Sequence, residues 1–142
     1  MSLFVDTSVW SLALRRDGPV GAAEVHELMR ALQSGEPVIT TGLVLQELLQ
    51  GFVGPKAREQ ILEHFAALPL LVPDREDHVQ AAELRNRCRR AGVQVGTIDA
   101  LLAQLCVRHS LTLLTTDGDF DGVAKVVGLR VWGNGVTRSA PA

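Results

Sequence analysis

Five short apolar runs, separated by stretches of helical spacing, constrain what this chain can fold into more than any other feature. Leu3-Phe4-Val5, Pro37-Val38-Ile39-Thr40, Leu70-Leu71-Val72, Leu111 to Thr115 and Leu129-Arg130-Val131-Trp132 read as strands. They are continuous rather than alternating, the pattern of strands covered on both faces in a parallel sheet. Between them lie periodic segments with helix start and stop signals. Ser8 can cap a short helix through Trp10, Leu12 and Leu14, which the Asp17-Gly18-Pro19 turn ends. A helix from about Gly21 to Gln33 carries Val25, Leu28, Met29 and Leu32, with Gly35 beyond its end. Thr41 caps a helix with Leu45, Leu48, Leu49 and Phe52 as its stripe, and another starts at Pro55 with Ile61, Leu62, Phe65 and Leu68. A long helix from about Glu76 to Arg90 combines Val79, Ala82 and Leu84 with an arginine-rich face. Thr97 caps the last, which runs to Arg108.

Strands alternating with helices predict one α/β/α sandwich around a mostly parallel central sheet of about five strands, with right-handed crossovers and a site beyond the carboxyl ends of the strands. The length of 142 residues suits one domain with a single core, so the domain is expected over residues 1–132. Gly133 to Ala142 holds little apolar content and reads as a loose tail. No apolar run approaches the roughly 20 residues that cross a bilayer, and MSLFVD has no basic n-region or apolar h-region. No membrane association and a cytoplasmic location are the expectations.

The side chains that could carry chemistry are acids. Asp6 and Asp117 each follow an apolar strand, so a parallel sheet brings both to the same carboxyl edge. Asp99 stands in the first turn of a helix, where the dipole favours its ionised form. Glu47 interrupts a stretch of leucines and needs a partner there. Lys56 and Lys125 are the only lysines, and neither is near these acids in sequence. Carboxylates brought together either take up protons or hold a hard divalent cation. Oxygen-only ligation suits Mg²⁺ or Mn²⁺ rather than Zn²⁺, and such ions act typically on phosphates, which makes phosphodiester hydrolysis the natural reaction class.

Other chemistry has little support. Cys88 and Cys106 form no CxxC pair and read as buried thiols; His26, His64, His78 and His109 lie too far apart to share a metal by spacing. There is no GxxxxGK[ST] loop, GxSxG elbow, GxGxxG turn or HExxH helix. A net charge of −2 looks unfavourable for a nucleic-acid enzyme, but acids gathered in one pocket leave the remaining surface more basic than the sum. Arg85, Arg87, Arg89 and Arg90 form the densest basic run, and Arg15 with Arg16 a smaller one. The four are candidates for holding RNA phosphates, against the plainer reading of a solvated helix face. Aromatic residues make up only 4% and tyrosine is absent, so no stacking platform for bases is visible.

Four segments in order resemble the PIN-domain nucleases, and more narrowly the VapC-type toxins of toxin-antitoxin pairs. LFVDTSVW, from Leu3 to Trp10, is similar to the family's opening strand with its metal-binding acid, here Asp6. LVLQELLQG, from Leu43 to Gly51, resembles the segment with its glutamate, Glu47. AELRNRCRRAGVQVGTIDALLAQLC, ending at Cys106, resembles the approach to the third acid, Asp99. LTLLTTDGDFDGVAKVVGLRVW resembles the fourth strand and acidic loop, giving Asp117 and the accessory Asp119.

The resemblance implies a PIN-like fold and a Mg²⁺- or Mn²⁺-dependent endoribonuclease acting on RNA, often tRNA or rRNA. It further implies a homodimer inhibited by a cognate antitoxin. It makes Asp6, Asp99, Asp117 and Asp119 metal-binding and assigns Glu47 to orienting or deprotonating the attacking water. Thr116 stands where the family often has Asn, which leaves the hydroxyl of Thr115 or Thr116 to support the metal shell. Thr7 and Ser8 are candidates to hydrogen-bond Asp6 or the substrate. A catalytically silent PIN-like RNA- or protein-binding module is the alternative. A phosphoaspartate-forming phosphatase is disfavoured, because Asp6-Thr7-Ser8 lacks the DxD pair.

Overall fold

Three consecutive apolar residues after the N-terminus form strand β1 (Leu3–Val5), every one of them buried, and this strand lies at the centre of the sheet. In the computed structural model, which describes residues 1–15, 21–133 and 136–138, its parallel neighbours are β2 (Val38–Thr41) and β4 (Thr112–Leu114). Outside these lie β3 (Leu70–Leu71), parallel to β2, and β5 (Arg130–Gly133), parallel to β4. A sixth strand, β6 (Val136–Arg138), returns antiparallel along β5. The order β3-β2-β1-β4-β5-β6 thus contains the five expected parallel strands.

Chain direction across that order decides where helices go. From β1 the chain moves outward through α1 (Thr7–Leu14), α2 (Ala23–Ser34), β2, α3 (Gly42–Gly51) and α4 (Pro55–Ala66) to β3. It then crosses back through α5 (Arg75–Arg90) and α6 (Thr97–Arg108) to β4, and through α7 (Asp119–Val126) to β5. Right-handed crossovers taken in opposite directions place α1 to α4 on one face and α5 to α7 on the other. The packing agrees: α1 meets α2 and α3, α3 meets α4, and α5 meets α6 and α7. The progression reverses between β1 and β4, and their carboxyl ends open the crevice where ligands bind in such sheets.

Several local expectations are corrected. The cap of α1 is Asp6, whose carboxylate accepts the Ser8 N–H, while Ser8 itself lies inside the helix. Gly96 rather than Thr97 is the N-cap of α6. α5 begins earlier, behind a capping box in which Asp74 and Asp77 each accept the other's backbone N–H at 2.9 Å. Its inner face is Asp77, Ala81, Leu84 and Cys88, so Val79 points outward and is 45% exposed. Met29 and Leu32 likewise lie at the outer edge of the α2 stripe, whose buried members are Glu27, Leu28 and Ala31. Helix α7 was unforeseen; its core contacts are Phe120 and Val123.

The tail is also revised. Gly133 closes β5 and residues 136–138 form β6, because the free edge of β5 supplies hydrogen-bond partners that a loose segment would lack. The rest of the expected tail, Arg16 and the Asp17-Gly18-Pro19 turn lie outside the described residues.

Candidate active site

Asp6 leaves β1 where the backbone turns into α1, with its amide bonded to the Leu114 carbonyl at 3.1 Å. Both carboxylate oxygens have partners. Oδ1 accepts the Ser8 hydroxyl at 2.6 Å and the Ser8 amide at 3.1 Å; Oδ2 accepts the Thr115 hydroxyl at 2.6 Å. The group is 6% exposed, and burial pushes its pKa up while the hydroxyl and amide donors oppose that rise.

The same hydroxyls tie the two strand ends together. Thr115 Oγ1 also accepts the Asp117 amide at 3.0 Å, and Ser8 Oγ accepts the Thr116 amide at 3.0 Å. Of the two threonines offered as supports, Thr115 binds Asp6 through its side chain, whereas Thr116 is exposed and contributes its backbone N–H. Asp117 Oδ1 accepts the Asp119 amide at 2.9 Å, an Asx turn that starts α7.

Glu47 reaches the same edge from α3. Its Oε1 accepts the Thr7 hydroxyl at 2.7 Å, a contact across 40 residues of sequence that supplies the partner this acid requires. Asp99 comes from the other face of the sheet, in the first turn of α6. Its pKa is raised to about 6, first by burial and then by the charges of Asp117, Asp6, Glu47 and Asp119 in decreasing order. Five acids from four separate segments therefore share one electrostatic site, with Asp119 the weakest of the four acting on Asp99. Among the described residues none of the five forms a salt bridge.

The site is looser than a closed ligand cage. Among the described residues no three His, Cys, Asp or Glu side chains are gathered tightly enough to hold an ion by themselves. Asp6 and Glu47 are each engaged by a hydroxyl and Asp117 by the turn that starts α7, so these carboxylates have separate partners. A hard ion that keeps part of its water shell suits such spacing, and the donor set is all oxygen. Cys106 is buried, and burial together with the Asp6 charge pushes its thiol up, which leaves it a neutral packing group.

Helical geometry divides the arginine run. Arg85 and Arg89 line one groove with Gln94, Gly96 and Asp119, whereas Arg87 and Arg90 line a separate depression with Gln104 and Gly128. Arg85 Nε donates to the Val95 carbonyl at 2.9 Å, a role with no sequence signal. Another residue overlooked is Asp77, which is buried and accepts Arg108 Nη1 at 2.8 Å; the D-x-x-D spacing before α5 was the available signal.

The sequence matches the PIN domain family over residues 3–126, from β1 to the end of α7. The chain belongs to the PIN-domain family. Among its relatives, ribonuclease VapC11 of Mycobacterium tuberculosis is 30% identical over 130 residues, covering 90% of this chain and 96% of the relative. This PIN domain is therefore a VapC ribonuclease, a class that depends on metal. Solved structures share the fold. One is a member of the VapBC family of toxin-antitoxin systems, VapBC-5 from M. tuberculosis; it has a TM-score of 0.65 and 23% identity and covers 92% of this chain and 98% of its own. Another is M. tuberculosis VapC20, a sarcin-ricin loop cleaving toxin; its TM-score is 0.65 at 24% identity, covering 89% and 97%. No helix among the described residues is long and apolar enough to cross a membrane.

Proposed function

We propose that this protein is the toxin of a toxin-antitoxin pair, an endoribonuclease that hydrolyses RNA phosphodiester bonds at the β1/β4 crevice with Mg²⁺ or Mn²⁺. The observation that supports this most directly is Asp99, with its pKa raised to about 6 by burial and by four other carboxylates. An all-acid site of this kind repels phosphate unless a cation reverses its sign.

Asp6, Asp99 and Asp117 would hold the ion, in part through water, and Asp119 lies at the margin. When bound, such an ion neutralises charge on the phosphate and lowers the pKa of coordinated water. The protein's own groups have distinct tasks. Ser8 and Thr115 hold the Asp6 carboxylate in one orientation from both sides. Thr7 occupies Glu47 Oε1 and leaves Oε2 to face the attacking water. As the water oxygen bonds to phosphorus, its proton passes to Glu47, and the phosphorus bond to one ribose oxygen breaks with its electron pair on the departing oxygen.

The nuclease unit is taken to span residues 1–132, and the protein is expected in the cytoplasm as a homodimer with a cognate antitoxin as partner. The VapBC-5 relative supports the antitoxin, and the sarcin-ricin loop target of VapC20 makes rRNA the substrate to test first, with tRNA, which the family resemblance implies, beside it. Purified protein incubated with total RNA, with mapping of new 5′ ends, should yield discrete cuts that EDTA abolishes. RNA binding without any metal-dependent cut would instead support a catalytically silent module.

A further inference from the structure

The groove that takes Arg85 and Arg89 begins where the acid centre ends. Asp119 lines it, and Asp119 is also one of the carboxylates that raise Asp99. Its floor is the loop from Val93 to Gly96, which leads directly into the α6 turn that carries Asp99. Three contacts hold that floor. Val93 N–H donates to the Cys88 carbonyl at 2.8 Å, and Arg85 Nε donates to the Val95 carbonyl at 2.9 Å. On the opposite side α7 approaches so closely that a Cβ on Gly122 would stand 3.2 Å from Val93 Cγ1. The loop is thus pinned between α5 and α7, and the cationic wall keeps a set relation to Asp99.

Arg89 is the available cation in this wall. It is exposed, and its guanidinium has no hydrogen bond or ion pair with any described residue. Arg85 has spent only Nε on the loop. The volume, about 450 Å³, is of the size that takes one small ligand or a single flexible strand. A duplex is recognised across far more surface, about 16 base pairs for the double-stranded RNA modules. Among the described residues no aromatic side chain lines the groove, so stacking is not the contact offered; guanidinium on phosphate is.

We infer that this groove carries a phosphodiester of single-stranded RNA next to the bond that is cut, held by Arg89 and Arg85, while Arg87 and Arg90 lie off the RNA path. The inference rests on the ribonuclease reading of the acid centre. It divides four arginines that are equivalent in sequence into two that meet substrate and two that do not.

The test uses the intact protein and a single-stranded oligoribonucleotide spanning a cut site mapped in total RNA. Cleavage is measured at several salt concentrations for wild type, Arg89→Gln, Arg89→Lys, Arg87→Gln and Arg90→Gln. Arg89→Gln should raise KM about five- to tenfold with kcat nearly unchanged, and flatten the dependence of log(kcat/KM) on log salt by about 0.7, the value for one phosphate contact on a single strand. Arg89→Lys should restore the slope, because the charge returns. The Arg87 and Arg90 variants should match wild type in both KM and slope. Equal losses at all three positions, or an unchanged slope for Arg89→Gln, would overturn the groove assignment while leaving the ribonuclease intact. A wild type that cuts no RNA would remove the ribonuclease reading and this inference with it.

Discussion

Asp99→Asn should abolish RNA cleavage and, in EDTA at neutral pH, make the protein more stable. The opposite signs follow from the structure. Burial and four carboxylates raise the Asp99 pKa from 3.8 to about 6, so its ionised form is disfavoured in the folded protein. A group whose folded pKa lies above its unfolded value binds its proton more tightly when folded. Its favourable contribution is complete below pH 3.8 and is lost as the pH rises through about 6. At about 1.4 kcal/mol per pH unit, the full rise corresponds to about 3 kcal/mol, and solvent screening of this half-buried side chain reduces that to about 1–2 kcal/mol.

Asparagine keeps the shape and removes the charge. Thermal unfolding in EDTA should therefore show the variant about 3–6 °C above wild type at pH 7.5 for a domain of this size, with the gap shrinking to about a third of that by pH 4.5. Added Mg²⁺ or Mn²⁺ should reverse the order at pH 7.5, since the ion stabilises the folded form that ligates it. An Asn variant no more stable than wild type at pH 7.5 in EDTA, or one with the same advantage at both pH values, would refute the reading that burial and its acidic neighbours disfavour the Asp99 carboxylate.

Other consequences are local. Thr115→Val removes the 2.6 Å donor to the buried Asp6 Oδ2 and the acceptor for the Asp117 amide; it should cost about 1–3 kcal/mol in urea unfolding and lower kcat at least tenfold, while Thr115→Ser retains most of both. Thr7→Val frees Glu47 Oε1 and should lower kcat with little change in KM, as measured on the same oligoribonucleotide. Arg108→Gln strips the cation from the buried Asp77 at the end of α5 and α6 remote from the acids. It should destabilise by about 2 kcal/mol yet leave cleavage per folded molecule unchanged. Cleavage by wild type at limiting metal should rise with pH through about 6 as Asp99 loses its proton, a profile read from initial rates.

Much of the architecture was legible because it depends on neighbours in sequence. Continuous apolar runs such as Leu3-Phe4-Val5 declared buried parallel strands, and an acid at the end of a strand declared the sheet edge. Where two local signals competed, the reading slipped. Ser8 and Asp6 are both good caps, and the earlier one won, since its carboxylate can receive the Ser8 N–H and hydroxyl together. α7 was hidden because its buried contacts are only Phe120 and Val123, too few for a visible period.

What the amino-acid order determined by itself is the alternation of strand and helix, the five parallel strands, and an oxygen-only acidic chemistry. Tertiary structure decided which acids are neighbours and which partners they have. Thr115 meets Asp6 across 109 residues and Thr7 meets Glu47 across 40, because β4 lies beside β1 and α3 packs on α1. The division of the arginines was decided the same way, by which face of α5 turns toward the loop before α6. Periodicity and capping act within a few residues and can be read along the chain, whereas contacts over such separations exist only once the strand order has been chosen.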